Sequence, residues 1–322
     1  YIYLPSMKYF LFVFALFASA FIQSQEKFSK EISIITDNDL YVSKKNDRYY
    51  SSSLFLSYRY LSKNKNTSLE KRILNWQVGH EIYTPHRSVV ISISEHDRPF
   101  AGYLYGDFSI NRIYKNEQIL NTAIQVGFIG TNSFAKEVQD FIHDIYGFQQ
   151  AVGWKYQIKN AFALNFGVEY LKTILKTKKK YFDVTWENNL NVGAVFTNIA
   201  TGFYSRIGFQ PLQNITNSIA FNTNLNNEQT NSFREIESFI YLKSMLRYAL
   251  YDATLQGSFL NKKSLVTKEL IPLVFEVELG IKFTFSRFNF GYVINYNTNR
   301  SKNLVYNSGH KYGRIAMSYL LR

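Results

Sequence analysis

Residues 274–285 read VFEVELGIKFTF, and their order decides the fold class. Successive side chains of an extended chain point to opposite faces. Phe275, Val277, Leu279, Ile281, Phe283 and Phe285 therefore share one face, and Glu276, Glu278, Gly280, Lys282 and Thr284 the other. Apolar against charged suits either a two-sheet sandwich or a membrane barrel with a polar lumen. Residues 51–60 (SSSLFLSYRY) repeat the pattern. Working outward, comparable segments lie at 32–37, 54–61, 73–82, 101–114, 120–129, 161–175, 181–197, 199–209, 237–255, 287–297 and 312–321. Many run to about ten residues, the length a tilted membrane strand needs. With 274–285 they make about twelve, an even number, joined serially by Asn-, Lys-, Gly- and Ser-rich turns. The expected fold is all-β: an antiparallel up-and-down transmembrane barrel. Strand length favours the barrel over a sandwich. So do the 25 Tyr and 28 Phe that crowd strand ends as interfacial girdles would. The last strand ends on Arg322 rather than on the aromatic that closes many such barrels.

The start of the chain supports the same reading. Met7 and Lys8 precede an apolar run at 9–22, followed by Gln23, Ser24 and Gln25. A basic n-region, a short apolar core and a polar exit make a secretory signal peptide. Cleavage is expected near Gln25, with 1–6 lying upstream of the natural initiator, so 26–322 forms the barrel domain. No later segment reaches the roughly 18 apolar residues of a membrane helix. A secreted chain that re-enters a membrane must then do so as a closed barrel. The absence of cysteine excludes a disulfide framework and thiolate metal sites. A net charge of +13 suits anionic surfaces. There is no phosphate-cradling glycine loop, zinc spacing or nucleic-acid motif.

One segment breaks the strand rhythm. Residues 132–147 (NSFAKEVQDFIHDIYG) predict a short helix, with Asn132 or Ser133 able to cap its start and Gly147 its end. Val138, Phe141, Ile142 and Ile145 recur at helical spacing and make the apolar face; Lys136, Gln139, Asp140 and His143 lie opposite. On spacing alone His143 is a solvated residue on a loop helix. Three connections also stand out. Residues 62–69 are short and basic. Residues 210–233 are long, Asn-rich and almost uncharged, and read as an exposed loop. Residues 176–180 (KTKKK) read as a solvated turn, or as an attraction for anionic headgroups and sugar phosphates.

Candidate chemistry gathers near the first two strands. Thr36-Asp37-Asn38-Asp39 ends strand one; such residues form turns, and such oxygens also hold calcium. A hairpin brings Ser51 close to Asn38 and Asp39. Ser51 lacks a Gly-x-Ser-x-Gly elbow, so donation to an oxyanion is an easier role than nucleophilic attack. His80-Glu81 lacks the second histidine of a metalloprotease helix. His80, His86, His96 and His310 read as structural or surface residues, and Asp97-Arg98 as a buried ion pair.

The ordered set of DND, DRYYS, GHEIYTP, DRPFAG, the 132–147 helix, Gly153-Trp154-x-x-Gln157, YDATLQG and His310-Lys311-Tyr312-Gly313 resembles the outer-membrane lipid A 3′-O-deacylase family. The resemblance spans nearly all of 26–322 and is densest over 37–157. It implies a twelve-stranded barrel in the bacterial outer membrane that acts on lipid A or lipopolysaccharide at a site between the barrel wall and an extracellular helix. It implies calcium-dependent hydrolysis of the 3′-linked acyl ester. Position by position, the family's site histidine falls on His143, its Asn-Asp pair on Asn38 and Asp39, and its hydroxyl on Ser51. Asp39 would then ligate Ca2+, with His143 as general base and Asn38 and Ser51 as its partners. Some members carry a site lysine where this chain reads His86-Arg87-Ser88. Ser53 stands where the family usually has Gly, and Gly130-Thr131 where it often has Gly-Pro. A monomer without nucleic-acid partners is expected. Two other readings stay open: a serine-type outer-membrane phospholipase with Ser51 as nucleophile, and a non-catalytic porin or structural barrel.

Overall fold

The computed structural model describes residues 27–42, 48–228, 230 and 236–322; the expected leader lies outside them. Twelve antiparallel strands close a barrel in serial order. They are β1 (Lys30–Asn38), β2 (Tyr49–Ser62), β3 (Leu69–Thr84), β4 (Ala101–Tyr114), β5 (Gln118–Ile129) and β6 (Ala161–Lys176). β7 (Phe182–Gly193), β8 (Phe196–Gly208), β9 (Ser238–Asp252), β10 (Leu273–Phe285), β11 (Phe288–Asn297) and β12 (His310–Leu321) complete it. Closure is made by β1 against β12, in register from Lys30↔Leu321 to Asn38↔Gly313. Helix α1 (Ala135–Tyr146) follows β5, and a single turn, α2 (Ala253–Gln256), follows β9.

The faces of β10 separate barrel from sandwich. Phe275, Leu279, Ile281, Phe283 and Phe285 point outward and are exposed. Glu276, Glu278 and Lys282 line cavities inside. An apolar exterior around a charged interior is a membrane barrel's arrangement. Among the described residues no helix is long and apolar enough to cross a membrane.

The two mouths are built differently. At the mouth bearing the chain termini most turns are short, such as 115–117 and 286–287. The exception is the connection 209–237, and here the expectation of an exposed loop is overturned. Leu212, Ile215, Ile219, Phe221 and Leu225 are buried in a cluster with Phe28, Ile73, Tyr204 and Phe239. Asn217, Ser218, Thr223, Asn224 and Asn226 are buried as well. The described part of this connection therefore plugs the lumen. Burying such polar groups is tolerated only when they are hydrogen-bonded. Lys71 of β3 supplies the bonds: its Nζ donates to Thr223 O (2.7 Å), Leu225 O (2.9 Å), Asn226 Oδ1 (3.1 Å) and Asn217 Oδ1 (3.4 Å). Arg206 of β8, fully buried, donates to Asp183, Glu237, Ser218 Oγ and Gln213 O. The Lys-rich turn 177–180 is exposed at this same mouth, away from α1.

At the other mouth five of the six connections are longer, 39–48, 85–100, 130–160, 253–272 and 298–309, and the sixth, 194–195, is a two-residue turn. Short periplasmic turns and long outer loops are the rule for these barrels, which makes this mouth extracellular. Between it and the plug lie polar cavities of about 370 and 590 Å³.

Candidate active site at the extracellular rim

The helix forms where the sequence predicts it, and Val138 of the apolar face packs against the core while Lys136 is exposed, but four residues depart from that division. Phe141 and Ile145 are 65% and 63% exposed, whereas Ala135, Gln139 and His143 form a buried stripe. His143 is thus not solvated: it is only 5% exposed. The polar stripe turns inward because partners meet it there. Trp154 Nε1 donates to Gln139 Oε1 at 2.8 Å, and His143 Nδ1 lies 2.7 Å from Gln149 O. A carbonyl oxygen can only accept, so Nδ1 carries the proton and the neutral ring has its lone pair on Nε2. The Phe148 ring meets the imidazole edge-on at 5.8 Å.

Three features seat α1. Ala135 packs with Ile82, Phe100, Ala151 and Trp154. His80 Nε2 donates to Ser133 O at 2.9 Å, ahead of the helix. Gly102 leaves room: a Cβ there would sit 2.1 Å from Ser133 Oγ and 2.2 Å from Ala135 Cβ. The start of the helix differs from expectation. Phe134 occupies the N-cap with φ 56°, and Ser133 Oγ donates back to Gly130 O (2.6 Å) instead of capping. Gly147 ends the helix at φ 68°, as expected.

The β1–β2 corner brings together the other three predicted residues. Asn38 Oδ1 accepts from Leu40 N (2.8 Å), capping a 3-10 turn at Asp39–Tyr41. Asp39 is buried, and its Oδ2 accepts from Arg48 N at 2.7 Å, tying the two ends of the 39–48 loop. Gly313 of β12 lets the turn approach, since a Cβ there would lie 2.6 Å from Tyr41 Cβ. Pairing of β2 with β3 passes from Tyr50↔Tyr83 to Ser52↔Ile82, so Ser51 is the extra residue of a β-bulge. Bulges re-aim side chains and are common beside active sites. Ser51 is buried, with Oγ 3.5 Å from Ile82 O. Asn38 pairs with Ser52 across the hairpin, which sets Asn38 and Asp39 beside Ser51.

His143 reaches the same rim from a different loop. The link is Ile82: its carbonyl faces Ser51 Oγ, while its side chain belongs to the buried cluster that holds Ala135 of α1. The helix therefore stands on the strand next to Ser51. Asp39, Asn38 and Ser51 offer carboxylate, amide and hydroxyl oxygens, the hard donors that calcium takes. Among the described residues no group of three or more His, Asp or Glu side chains is clustered to hold a metal.

Sequence reasoning missed how the loops are fastened. Asp97 and Arg98 do not serve as the expected pair but bind different partners. Asp97 accepts from Tyr49 Oη (2.9 Å), His86 N (3.0 Å) and Val305 N (3.2 Å), joining the 85–100 and 298–309 connections to the start of β2. Arg98 bonds Thr254 Oγ1 (3.2 Å) and lies over the Tyr83 ring. Arg48 covers the Tyr306 ring at 3.7 Å. The alternation of aromatic and charged residues in DRYYS and DRPF was the available signal. Arg87 is exposed and pairs with Glu95 of its own loop at 2.8 Å. His96 bonds Ser92 O through Nδ1, and burial holds its pKa below the ordinary 6.5.

With the geometry in place, the sequence can be set beside known proteins. The family profile of outer membrane protein LpxR matches residues 10–321. The chain belongs to the LpxR family. That places it in the outer membrane, among the lipid A deacylases that the ordered motifs resemble. LpxR from Salmonella typhimurium has a similar fold: TM-score 0.70 and 18% identity over 90% of this chain and 99% of that one. The β domain of the Bordetella autotransporter Brka, at TM-score 0.41 and 8% identity over 91% of this chain and 99% of that one, carries no argument. Nor does the NalP translocator domain from Neisseria meningitidis, at 0.42 and 9% over 97% and 94%. No curated protein matches the sequence.

Proposed function

We propose that this LpxR-family barrel hydrolyses the 3′-linked acyl ester of lipid A, with His143 as general base. The carrying observation is the buried His143 ring, whose Nδ1–H is held by the Gln149 carbonyl. That bond fixes the tautomer whose Nε2 can take a proton from water. The hydroxide adds to the ester carbonyl, and the resulting oxyanion needs donors. Asn38 Oδ1 is committed to Leu40 N, which leaves the amide N–H groups to donate. The Ser51 hydroxyl, whose contact to the Ile82 carbonyl is long at 3.5 Å, is the second donor once it turns to the oxyanion. Collapse of the tetrahedral intermediate expels the sugar alkoxide, which recovers the proton from the imidazolium. Calcium, held by Asp39 with carbonyl, amide and water oxygens, would supply Lewis-acid polarisation of the carbonyl.

Neither alternative has comparable support. Ser51 Oγ faces the Ile82 carbonyl, which accepts hydrogen bonds but is no base for activating a nucleophile. A porin needs an open lumen, and the described part of the 209–237 connection packs inside the terminal mouth.

Two measurements test the reading. His143→Ala should lower acyl release by about 10²–10⁴-fold, the usual contribution of a general base. Mass spectrometry of lipid A reads the release, and heat-modifiable gel mobility confirms that the barrel has folded. Undiminished deacylation by the folded variant would remove His143 from the chemistry. Chelation should abolish turnover and added calcium restore it; chelator-insensitive turnover rules out the metal.

A further inference from the structure

We infer that α1 lies in the outer leaflet as a three-sided helix, with its apolar flank against lipid acyl chains. The inference does not depend on His143 being a base. At about 100° per residue the helix divides into three sectors. Ala135, Gln139 and His143 face the protein and are buried. Lys136, Glu137, Asp140 and Asp144 make a charged flank, where Lys136 pairs with Asp140. Phe141 and Ile145 make the remaining flank, more than three-fifths exposed. A helix at a membrane interface needs one flank for water and headgroups and one for acyl chains. Here the third flank serves the site.

The apolar flank does not stand alone. Phe134 and Phe148, at either end of the helix, are exposed. The neighbouring 85–100 loop presents Ile91 and is tied to the α1 loop by a parallel bridge, Val89↔Val152. Exposed apolar groups this concentrated mark an interaction surface. The occupant follows from continuity with the lipid-facing wall. The α1 loop leaves β5 just beyond exposed Phe128 and returns at β6 just before exposed Phe162, and those two rings meet at 6.1 Å. The patch extends the surface that already faces hydrocarbon, so its partner is lipid rather than a second copy of the chain.

The absence of cysteine makes a direct test possible. Single variants Ile145→Cys, Asp144→Cys and Phe162→Cys are nitroxide-labelled in proteoliposomes. Collision rates with oxygen, which partitions into lipid, are compared with those of a water-soluble nickel chelate. The oxygen-to-nickel ratio at Ile145 should be several-fold above that at Asp144 and close to that at Phe162. A ratio at Ile145 matching Asp144 would place the flank in water and overturn the inference. Low accessibility to both reagents, with spin coupling that grows with protein density, would assign the flank to a second copy and overturn it equally. Because the readout is not turnover, an inactive but lipid-exposed helix and an active but water-exposed one give different results.

Discussion

The two mouths of this barrel bury polar groups to opposite ends. At the terminal mouth, the Asn-rich connection, Lys71, Arg206, Asp183 and Glu237 are bonded to one another, and the result is a seal. At the extracellular mouth, burial positions groups instead: Gln149 holds one nitrogen of His143, Leu40 holds one end of Asn38, and a bulge offsets Ser51. A polar side chain bonded all round contributes to structure. One fixed through a chosen atom is oriented, and that orientation is what chemistry can use.

Substitutions can sharpen that contrast. Arg206→Met should have the largest effect, because it leaves the carboxylates of Asp183 and Glu237 buried without their cation. Removing one member of a buried ionic group costs about 3–5 kcal/mol. Urea unfolding should register the loss, and planar-bilayer conductance should rise as the plug loosens. Unchanged stability and conductance would mean the plug is not held this way. Gly102→Val acts on the other mouth. Overpacking costs about 1–3 kcal/mol, but here the strain falls between β4 and the start of α1. Deacylation should therefore fall much more than barrel stability does; equal losses in both would deny that the seat of α1 matters to the site. The smallest effect is expected from pH. With His96 held below 6.5 by burial, the folded protein binds its proton less readily than the unfolded chain. The contribution of the neutral His96 ring to stability is complete above pH 6.5 and is lost as pH falls below it. Hydrogen-exchange protection factors of the 85–100 loop, which correct for the slowing of intrinsic exchange at lower pH, should fall between pH 8 and 5, and His96→Phe should flatten the change.

The strands were legible because a pleated chain with a polar lumen on one side and lipid on the other must alternate, as 274–285 does. The helix was legible in extent, through Gly147 and the helical spacing, but not in orientation. Spacing alone leaves His143 in solvent, whereas Phe141 and Ile145 face outward because the protein interior offers Gln139 and His143 their partners. The plug was illegible for a related reason. An uncharged run of Asn reads as solvated, and nothing local shows that Lys71, well over a hundred residues earlier, will supply its hydrogen bonds. Of the site, the Asn38–Asp39–Ser51 corner follows from hairpin pairing, although the bulge at Ser51 does not announce itself in SSSLFLSYRY. Assigning His143 to the same site rests on the ordered motifs, since no spacing rule joins α1 to β3.

The plug also changes the mechanics of the tube. A thin-walled cylinder flattens easily across its width, but this one has an internal brace. Lys71 fixes the brace to β3, Arg206 to β8, and Lys282 to β10 through Ala220 O at 3.2 Å. Three anchors spread around the circumference act like spokes and keep the lower cross-section round. Lateral pressure from the bilayer must then be taken up at the unbraced upper end, where β3 and β4 carry the helix.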